Sequence, residues 1–256
     1  MSENWRSDFA AAPPFAALNG LATSLASDDW PSLDRLNALA DEHTLRNAAG
    51  LPLRFVKQDV RCGQLDYERS AFYSGRVPTR ERNWHDLFNA LVWLTWPRVK
   101  AALNAVQCAR LQAGQTRSPI SDAATLFDES GLVLVGEADD LMLLLRAHRW
   151  QEAFVECRAD WSQLRTYVIG HAVLEKLLAP WPGIVAKCLY LALPADSGTQ
   201  LVDAAVATLW QGGRILRPAE LFPLPVLGVP GWWPANADPA YYADTSYFRP
   251  ARVIPT

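Results

Sequence analysis

The sequence predicts an α+β protein: a mainly helical single domain around a small, largely antiparallel sheet, with an irregular C-terminal arm rich in proline and aromatic residues. Apolar residues recur with helical spacing in several long segments. Runs typical of strands are short, and they do not alternate with helices as regularly as a doubly wound fold requires. Prolines and aromatic rings are concentrated in residues 217–256. Because 50% of the 256 residues are hydrophobic, a disordered chain is excluded.

The first part of the chain predicts a leader, one helix and one strand. Residues 1–30 are rich in alanine, and we expect an extended or partly helical leader. Ser32 is a suitable N-cap for a helix over residues 32–47, and residues 53–57 are apolar enough for a strand. Residues 67–73 fit either a short strand or a turn of helix.

The strongest helix signal follows Asn83. This residue can cap a helix, and Asp86, three residues later, favours the helix N-terminus. Apolar residues then form one broad face up to Leu94. Pro97 breaks or restarts the helix because proline lacks an N–H donor, so a second helix is expected from Pro97 to Gln112.

The second half of the chain predicts a hairpin, several helices and a terminal arm. Two apolar runs flank an acidic, glycine-containing tip at residues 128–131, which predicts a β-hairpin over residues 124–135. We expect helices over residues 141–146, 150–157, 171–178 and 198–210, and a strand over residues 184–193. Residues 167–169 are short and apolar, and they fit either the beginning of the helix over residues 171–178 or a segment that precedes it. Residues 217–256 are expected to pack on a core domain of residues 31–216, because exposed aromatic rings are unfavourable in water.

Composition and missing motifs narrow the function classes. A net charge of −3 makes broad nucleic-acid binding unlikely on this sequence, and no apolar run is long enough for a membrane span. The four cysteines form no CxxC pair, which favours reduced thiols in a cytoplasmic protein. The chain has no GxGxxG, P-loop or GxSxG motif, so no nucleotide cofactor is indicated. The partner is expected to be an unknown small molecule or protein.

Three polar clusters contain the residue types that metal and acid–base chemistry uses. His85 lies in the first turn of the helix that Asn83 caps, and Asp128 and Glu129 lie at the predicted hairpin tip. His171 and Glu175 are four residues apart, so they share one face of a predicted helix. Each cluster also fits a structural role as a helix-terminus charge, a solvated turn or a side-chain pair.

If these clusters converge, they predict a divalent-metal centre with zinc or manganese as the candidate ion. His85, His171 and Glu175 would bind the metal, and Glu129 would act as the general base toward a metal-bound water. Asp128 would either bind the ion or hold one of its ligands. The resulting hypothesis is a metal-dependent, hydrolase-like enzyme.

A basic segment near the first cluster predicts the substrate's charge. Arg80 or Arg82 would contact a small anionic substrate, because guanidinium groups suit carboxylate and phosphate. The same segment, which includes Lys100, also fits a solvated flank. The alternative function is a non-catalytic binding or protein-interaction module, in which the clusters are structural hydrogen-bond networks. An enzyme would place the clusters in one water-accessible cleft, whereas a structural role would leave them buried.

Several strings of this sequence resemble one family. They are NWHDLFNALVW at residues 83–93, TLFDESG at 125–131, GHA at 170–172 and PLPVLGVPGW at 223–232. On these residues the chain resembles the bacterial family named domain of unknown function 3025, over about residues 30–253. The resemblance implies a bacterial single-domain protein whose three clusters and aromatic arm belong to the family pattern, and it implies no activity. Ser121 stands where the family pattern has arginine before aspartate.

Overall fold

A computed structural model describes residues 4–58, 63–112 and 118–251 and confirms a mainly helical α+β fold. The α-helices of the described residues are α1 (Asn19–Ser24), α2 (Leu33–Glu42), α3 (Gln64–Ser74), α4 (Trp84–Thr95), α5 (Pro97–Gln112), α6 (Pro119–Ser130), α7 (Asp139–Arg146), α8 (His171–Leu177) and α9 (Thr199–Gln211). The strands are β1 (Arg54–Lys57), β2 (Arg76–Thr79), β3 (Gly131–Gly136), β4 (Leu164–Val168), β5 (Val185–Leu191) and β6 (Phe222–Pro225). Short 3-10 segments precede α1 and follow β6.

The strands form two small sheets. β1 and β2 pair in parallel as a separate two-stranded sheet. The larger sheet has the order β4-β3-β5-β6, in which β3 runs parallel to β5 and the other two pairings are antiparallel. This sheet is therefore mixed, although most of its pairings are antiparallel as predicted. Every residue of β3 is buried, which agrees with its central place and its lack of polar alternation.

The hairpin predicted over residues 124–135 is wrong. Its first arm is the end of α6, and the chain enters β3 at Gly131 without a turn between two strands. Ser118 caps α6 through its side chain, and the proline that follows fits the first turn, where an N–H is not needed. A short apolar run such as the one around Phe127 fits a helix or a strand equally well. Here the Ser118 cap and the buried face of the segment favour the helix.

Most other predicted elements are confirmed. Helices begin at or next to Ser32, Asn83, Pro97, His171 and Gly198, as their caps and periodicity predict. The ambiguous segment over residues 67–73 belongs to a helix, α3. The N-terminus of α5 is capped from a distant element, because the Asp203 carboxylate on α9 accepts hydrogen bonds from two backbone N–H groups at its start.

Helix α4 lies in the middle of the core. Phe88, Leu91 and Trp93 are fully buried on it, and the helix packs against α8 and α5. The leader contributes to the same core, since the Phe15 ring stacks on the Phe88 ring with centroids 5.7 Å apart. The first turn of α4, with His85, is therefore held from several sides.

The C-terminal arm covers the domain with aromatic side chains. Tyr242, Tyr247 and Phe248 are buried against the core. The Tyr247 hydroxyl donates to the Ile184 carbonyl at 2.8 Å and accepts from the Leu227 N–H at 3.0 Å. These bonds attach the arm to the β5–β6 end of the larger sheet.

Two further predictions concern the cysteines and the membrane. Cys108, Cys157 and Cys188 are free thiols, whereas Cys62 lies outside the described residues. Among the helices that the structure describes, none has the length and apolar character needed to cross a bilayer.

Candidate metal centre

The first turn of α4 positions His85 and Asp86. Asn83 caps this helix, and its side-chain oxygen accepts a hydrogen bond from the Asp86 backbone N–H at 3.0 Å. The Asp86 carboxylate accepts from Arg80 at Nε (3.0 Å), at Nη2 (2.7 Å) and at the backbone N–H (2.7 Å). Arg80 is therefore tied to the start of α4 by an ion pair.

A glycine contact brings α6 and α8 together. The Gly170 N–H donates to the Gly131 carbonyl oxygen at 2.8 Å, directly before α8 begins. A Cβ on Gly170 would lie only 2.4 Å from the Gly131 nitrogen and 2.6 Å from the Glu129 carbonyl oxygen. Because only glycine permits this approach, His171 starts α8 directly beside Asp128 and Glu129.

His85 and His171 face each other across α4 and α8. Their ring centroids are 4.5 Å apart with an interplanar angle of 74°, and their Nε2 atoms are 3.1 Å apart. The Nδ1 atom of His85 lies 3.0 Å from Glu175 Oε2. The Nδ1 atom of His171 lies 2.8 Å from the Asp128 carbonyl oxygen. The two imidazoles that the sequence singles out therefore converge.

The partners of the Nδ1 atoms determine where the ring protons lie. A carboxylate or carbonyl oxygen accepts hydrogen bonds, so each Nδ1 is assigned the proton and donates it. In a neutral ring, Nε2 then carries a lone pair. The lone pairs of His85 and His171 face each other at 3.1 Å, and only a cation between them makes this arrangement favourable. That cation is either a metal ion or an additional proton.

Glu129 joins the imidazoles on the Nε2 side. One oxygen of its carboxylate and one nitrogen of each ring all lie within 4.8 Å of one another, and Glu129 Oε1 is 3.7 Å from His171 Nε2. Glu175 and Asp128 lie on the opposite, Nδ1 side of the rings, with Asp128 Oδ2 3.8 Å from His171 Nδ1. The structure thus brings all five predicted residues together. Glu129 lies on the Nε2 side of the two imidazoles, and Glu175 and Asp128 lie on the Nδ1 side.

A buried lysine connects this group to two further helices, α5 and α3. Lys100 on α5 is only 2% exposed, and its Nζ donates to Asp128 Oδ1 at 2.5 Å and to Asn89 Oδ1 at 2.8 Å. Asn89 Nδ2 donates to the Tyr67 hydroxyl oxygen at 2.8 Å, and Trp93 Nε1 donates to the same oxygen at 3.2 Å. The buried charge is therefore paired and hydrogen-bonded, as a buried ammonium must be.

Burial and neighbouring charges shift three pKa values at the site. Burial lowers the pKa of His171 to about 3, so its ring is neutral near pH 7. Burial opposes ionisation of Asp128, but the charge and hydrogen bond of Lys100, together with the two neighbouring imidazoles, hold the pKa of this carboxyl below its ordinary value. Burial, assisted by the negative charge of Asp128, raises the pKa of Glu129. Glu129 is consequently the more basic of the two adjacent carboxylates.

The group opens into a cleft of about 280 Å³. Its walls include both imidazoles, the two acidic residues at the end of α6, and Arg80, Asp86, Asn89, Tyr67, Glu68 and Thr125. A larger groove of about 960 Å³ lies beside β4. Its described lining residues include no histidine, and Asp196 is the one acidic residue among them, so the larger cavity is not the one that gathers the metal-binding residue types. Arg82 is not among the cleft residues described, and it pairs with exposed Asp29 at 2.6 Å.

A family model described as "Protein of unknown function (DUF3025)" matches residues 53–252, which include every residue of this centre. The chain belongs to the DUF3025 family. No curated protein and no solved structure matches the chain. The distances given above place the three sequence clusters of this DUF3025 protein at a single site. The family name describes no activity for that site.

The buried hydrogen-bond network of this DUF3025 site, which includes Lys100 and Tyr67, was not predicted. The interpretation of Lys100 as part of a solvated flank is wrong, because the side chain is buried against Asp128. A signal for it exists in the sequence: Lys100, Asn104 and Gln107 recur at helical spacing, and all three are buried on α5. Tyr67 had no such signal, since its segment was consistent with a strand or a helix.

Proposed function

We propose that this protein is a divalent-metal-dependent, hydrolase-like enzyme whose ion is bound by His85, His171 and Glu129. The observation that carries the proposal is the pair of Nε2 lone pairs facing each other 3.1 Å apart beside a carboxylate. Each imidazole also donates its other N–H to an oxygen, which is how metal-binding histidines are usually oriented in proteins.

The distances suit a first-row divalent ion. Zinc–nitrogen bonds of about 2.0–2.1 Å at a tetrahedral angle place two imidazole nitrogens about 3.3 Å apart. The two Nε2 atoms are 3.1 Å apart, close to that value. The 3.7 Å between His171 Nε2 and Glu129 Oε1 corresponds to a wider angle at similar bond lengths. Both of these separations are ones that a single ion bound to the two atoms would span.

In this proposal Glu129 takes the ligand position that the sequence suggested for Glu175 and also keeps its suggested role as general base. Glu129 binds the ion through one oxygen, and its other oxygen accepts a proton from the attacking water. Glu175 orients His85 through Nδ1, and Asp128 holds His171 through its backbone carbonyl. As the water oxygen bonds to the substrate's carbon or phosphorus, the proton on Glu129 passes to the leaving group and the scissile bond breaks.

The cleft supports a small substrate. Its volume of about 280 Å³ lies just below the range of about 300–1,000 Å³ that is usual for ligand sites. We retain an anionic substrate in the proposal, because the ion would attract an anionic oxygen; Arg80 lies on the cleft wall, where its guanidinium is paired with Asp86. Arg82 is not assigned to the substrate, since it pairs with Asp29 outside the cleft.

Two imidazoles and one carboxylate fit zinc or manganese, the ions that the sequence suggested. Ferrous oxygenases use the same donor set, so iron is a necessary comparison. The free thiols of Cys108, Cys157 and Cys188 support a reducing compartment, and we propose the cytoplasm.

Elemental analysis of protein purified from zinc-, manganese- or iron-supplemented medium tests the metal centre. We expect about one equivalent of zinc or manganese per chain, and at least a roughly tenfold loss in His85→Ala and in His171→Ala. His43→Ala is the matched control, because this exposed histidine ends α2 away from the cleft. It should retain the wild-type metal content.

Activity is measured on the metal-loaded protein with small chromogenic carboxylate and phosphate esters. Hydrolysis should disappear with a chelator and return with the metal. Less than about a tenth of an equivalent of every metal would contradict the metal centre. One equivalent of ferrous ion without hydrolysis would retain the centre and contradict the hydrolase.

A second candidate, a non-catalytic binding or interaction module, is favoured by one observation. The bonds from Asp128 through Lys100 and Asn89 to Tyr67 form a buried network that also specifies the fold. In that case His85 and His171 share a proton. This candidate predicts that the protein binds no metal and that chelators leave its function unchanged.

A further inference from the structure

Tyr67 lies on the cleft wall, and both hydrogen bonds to its hydroxyl group are ones that the oxygen accepts. The oxygen accepts hydrogen bonds from Asn89 Nδ2 at 2.8 Å and from Trp93 Nε1 at 3.2 Å. These two donors use both lone pairs of the phenol oxygen. The remaining hydrogen-bonding capacity of Tyr67 is the donation of its own O–H.

The direction of these bonds is set by groups that can only donate. The Lys100 ammonium has no acceptor atom, so the Asn89 atom that it contacts must be the amide oxygen. Asn89 consequently turns its NH₂ group toward Tyr67. The indole nitrogen of Trp93 is also only a donor. Reversing the Tyr67 hydroxyl would require a lysine or an indole to accept a hydrogen bond.

Within residues 4–58, 63–112 and 118–251, the Tyr67 hydroxyl contacts these two donors and has no hydrogen-bond acceptor for its proton. Tyr67 is half-buried and lines the cleft, so a molecule bound in the cleft could supply the acceptor that this O–H lacks. We propose that Tyr67 is a catalytic hydrogen-bond donor to the substrate oxygen on which negative charge develops during hydrolysis. This inference rests on the proposed hydrolase function.

The chemistry of hydrolysis needs such a donor. When water adds to a carbonyl or phosphoryl centre, electron density moves onto a non-bridging oxygen, and a pre-positioned donor stabilises it. Burial, together with the Glu68 carboxylate, raises the pKa of Tyr67, so the phenol keeps its proton. Tyr67 therefore donates a hydrogen bond without transferring the proton. The Lys100–Asn89 chain strengthens this donation because it withdraws electron density from the phenol oxygen.

The donor also limits the substrate class. The attacked group must present an acceptor oxygen, as carboxylate esters, amides and phosphate esters do. A substrate with an N–H at the same position, such as an amidine, would place a donor against the Tyr67 donor. Because the whole cleft measures about 280 Å³, one small molecule can contact both Tyr67 and the imidazole pair.

The test compares zinc-loaded wild type, Tyr67→Phe and the control Tyr190→Phe. Tyr190 carries a hydroxyl that bonds to Gly136 and Asp139 outside the cleft. Zinc affinity is measured first, by competition with a chromogenic chelator, and Tyr67→Phe should match wild type within about twofold. Acetohydroxamate, which chelates zinc and offers a carbonyl oxygen, should bind Tyr67→Phe about tenfold more weakly. The kcat of Tyr67→Phe on any ester that wild type hydrolyses should be about 10²–10³-fold lower than that of wild type, with little change in KM.

A second measurement uses the wild-type protein, because Tyr67→Phe leaves two donors unpaired. In NMR spectra of the zinc-loaded protein, the Tyr67 hydroxyl proton is identified by its contact with the Trp93 indole N–H. It should move downfield when acetohydroxamate is added. Wild-type inhibitor affinity in folded Tyr67→Phe, or a hydroxyl resonance that does not move, would overturn this inference and leave the metal centre standing. Failure of wild type to bind either zinc or manganese would overturn the proposed function and this inference with it.

Discussion

The roles of Glu129 and Glu175 depend on which imidazole nitrogen each carboxylate faces. Glu129 lies on the Nε2 side, where the lone pairs of His85 and His171 meet. Glu175 lies on the Nδ1 side of His85 and accepts its N–H. A ring nitrogen that donates to a carboxylate makes the opposite nitrogen a better ligand, so the two glutamates cooperate through one ring.

We expect Glu175→Gln to weaken zinc binding about 10–100-fold without abolishing it, because the amide can still accept from His85 Nδ1 but lacks the charge that raises ligand basicity. Glu129→Gln removes a proposed ligand and should weaken binding more. Chelator competition measures both. Glu137→Gln, an exposed residue of similar size, should behave as wild type. Equal affinity in Glu175→Gln and wild type would remove Glu175 from the centre.

Lys100 gives a prediction about stability. Lys100→Met leaves the Asp128 carboxylate buried without its cation, which should lower the free energy of unfolding by about 3–5 kcal/mol. Adding Asp128→Asn should recover part of that loss, because it removes the unpaired charge. Urea denaturation of the metal-free proteins measures both changes. Lys187→Met on β5 is the control, with an expected change within about 1 kcal/mol.

Residue types and local spacing indicated which side chains could form a site, but they could not predict that these side chains meet or which of their atoms are in contact. His171 and Glu175 do share a helix face, yet the carboxylate contacts a ring on another helix. That contact depends on the distance between α4 and α8, which no local pattern encodes. Tyr67 was not predicted for the same reason, since the hydrogen bonds that orient its hydroxyl come from Asn89 and Trp93 on a different helix.

At the scale of elements, the α6–α8 junction is the most constrained contact of the site. We expect Gly170→Ala to destabilise the protein and to weaken zinc binding, because its Cβ would lie 2.4 Å from the Gly131 nitrogen and would push His171 away from Glu129. Thermal denaturation and chelator competition test this. Gly198→Ala is the matched control: it also precedes a helix, and its Cβ would meet nothing within 4 Å. Similar behaviour of the two variants would show that the junction tolerates displacement.

Helices with clear caps and periodicity were predictable, whereas the strand order was not. Asn83 and Ser32 act as the caps that the sequence indicates. The segment around Phe127 was predicted to be a hairpin arm, because its apolar run ends in an acidic, glycine-containing turn signal. The structure uses that same glycine as the helix-to-strand junction. Parallel pairing of β3 with β5 depends on intervening helices, so local signals did not predict it either.

At the scale of the molecule, the proposed ligands come from α4, α6 and α8. One ion would therefore connect three separate parts of the folded chain, and none of this geometry exists in the unfolded chain. We expect free zinc at about 100 times its Kd to add about 2.7 kcal/mol to the unfolding free energy. For a domain of this size, that corresponds to a rise in Tm of about 5–10 °C.

Thermal denaturation with and without zinc measures this effect. His85→Ala should show no rise at the same zinc concentration, because it removes one of the proposed ligands. Magnesium, which prefers oxygen ligands, serves as the control ion. A rise of equal size in His85→Ala would place the zinc elsewhere on the protein.

The leader has a consequence for how the protein can be shortened. Trp5 stacks on Trp84 with ring centroids 5.3 Å apart, and Trp30 lies 4.7 Å from the same ring. Trp84 is the residue next to His85, yet the family match begins only at residue 53. A fragment cut at the family boundary would lack both Trp5 and Trp30, so it would expose the Trp84 ring at the start of α4. We expect such a fragment to aggregate, because it presents a new apolar surface to water.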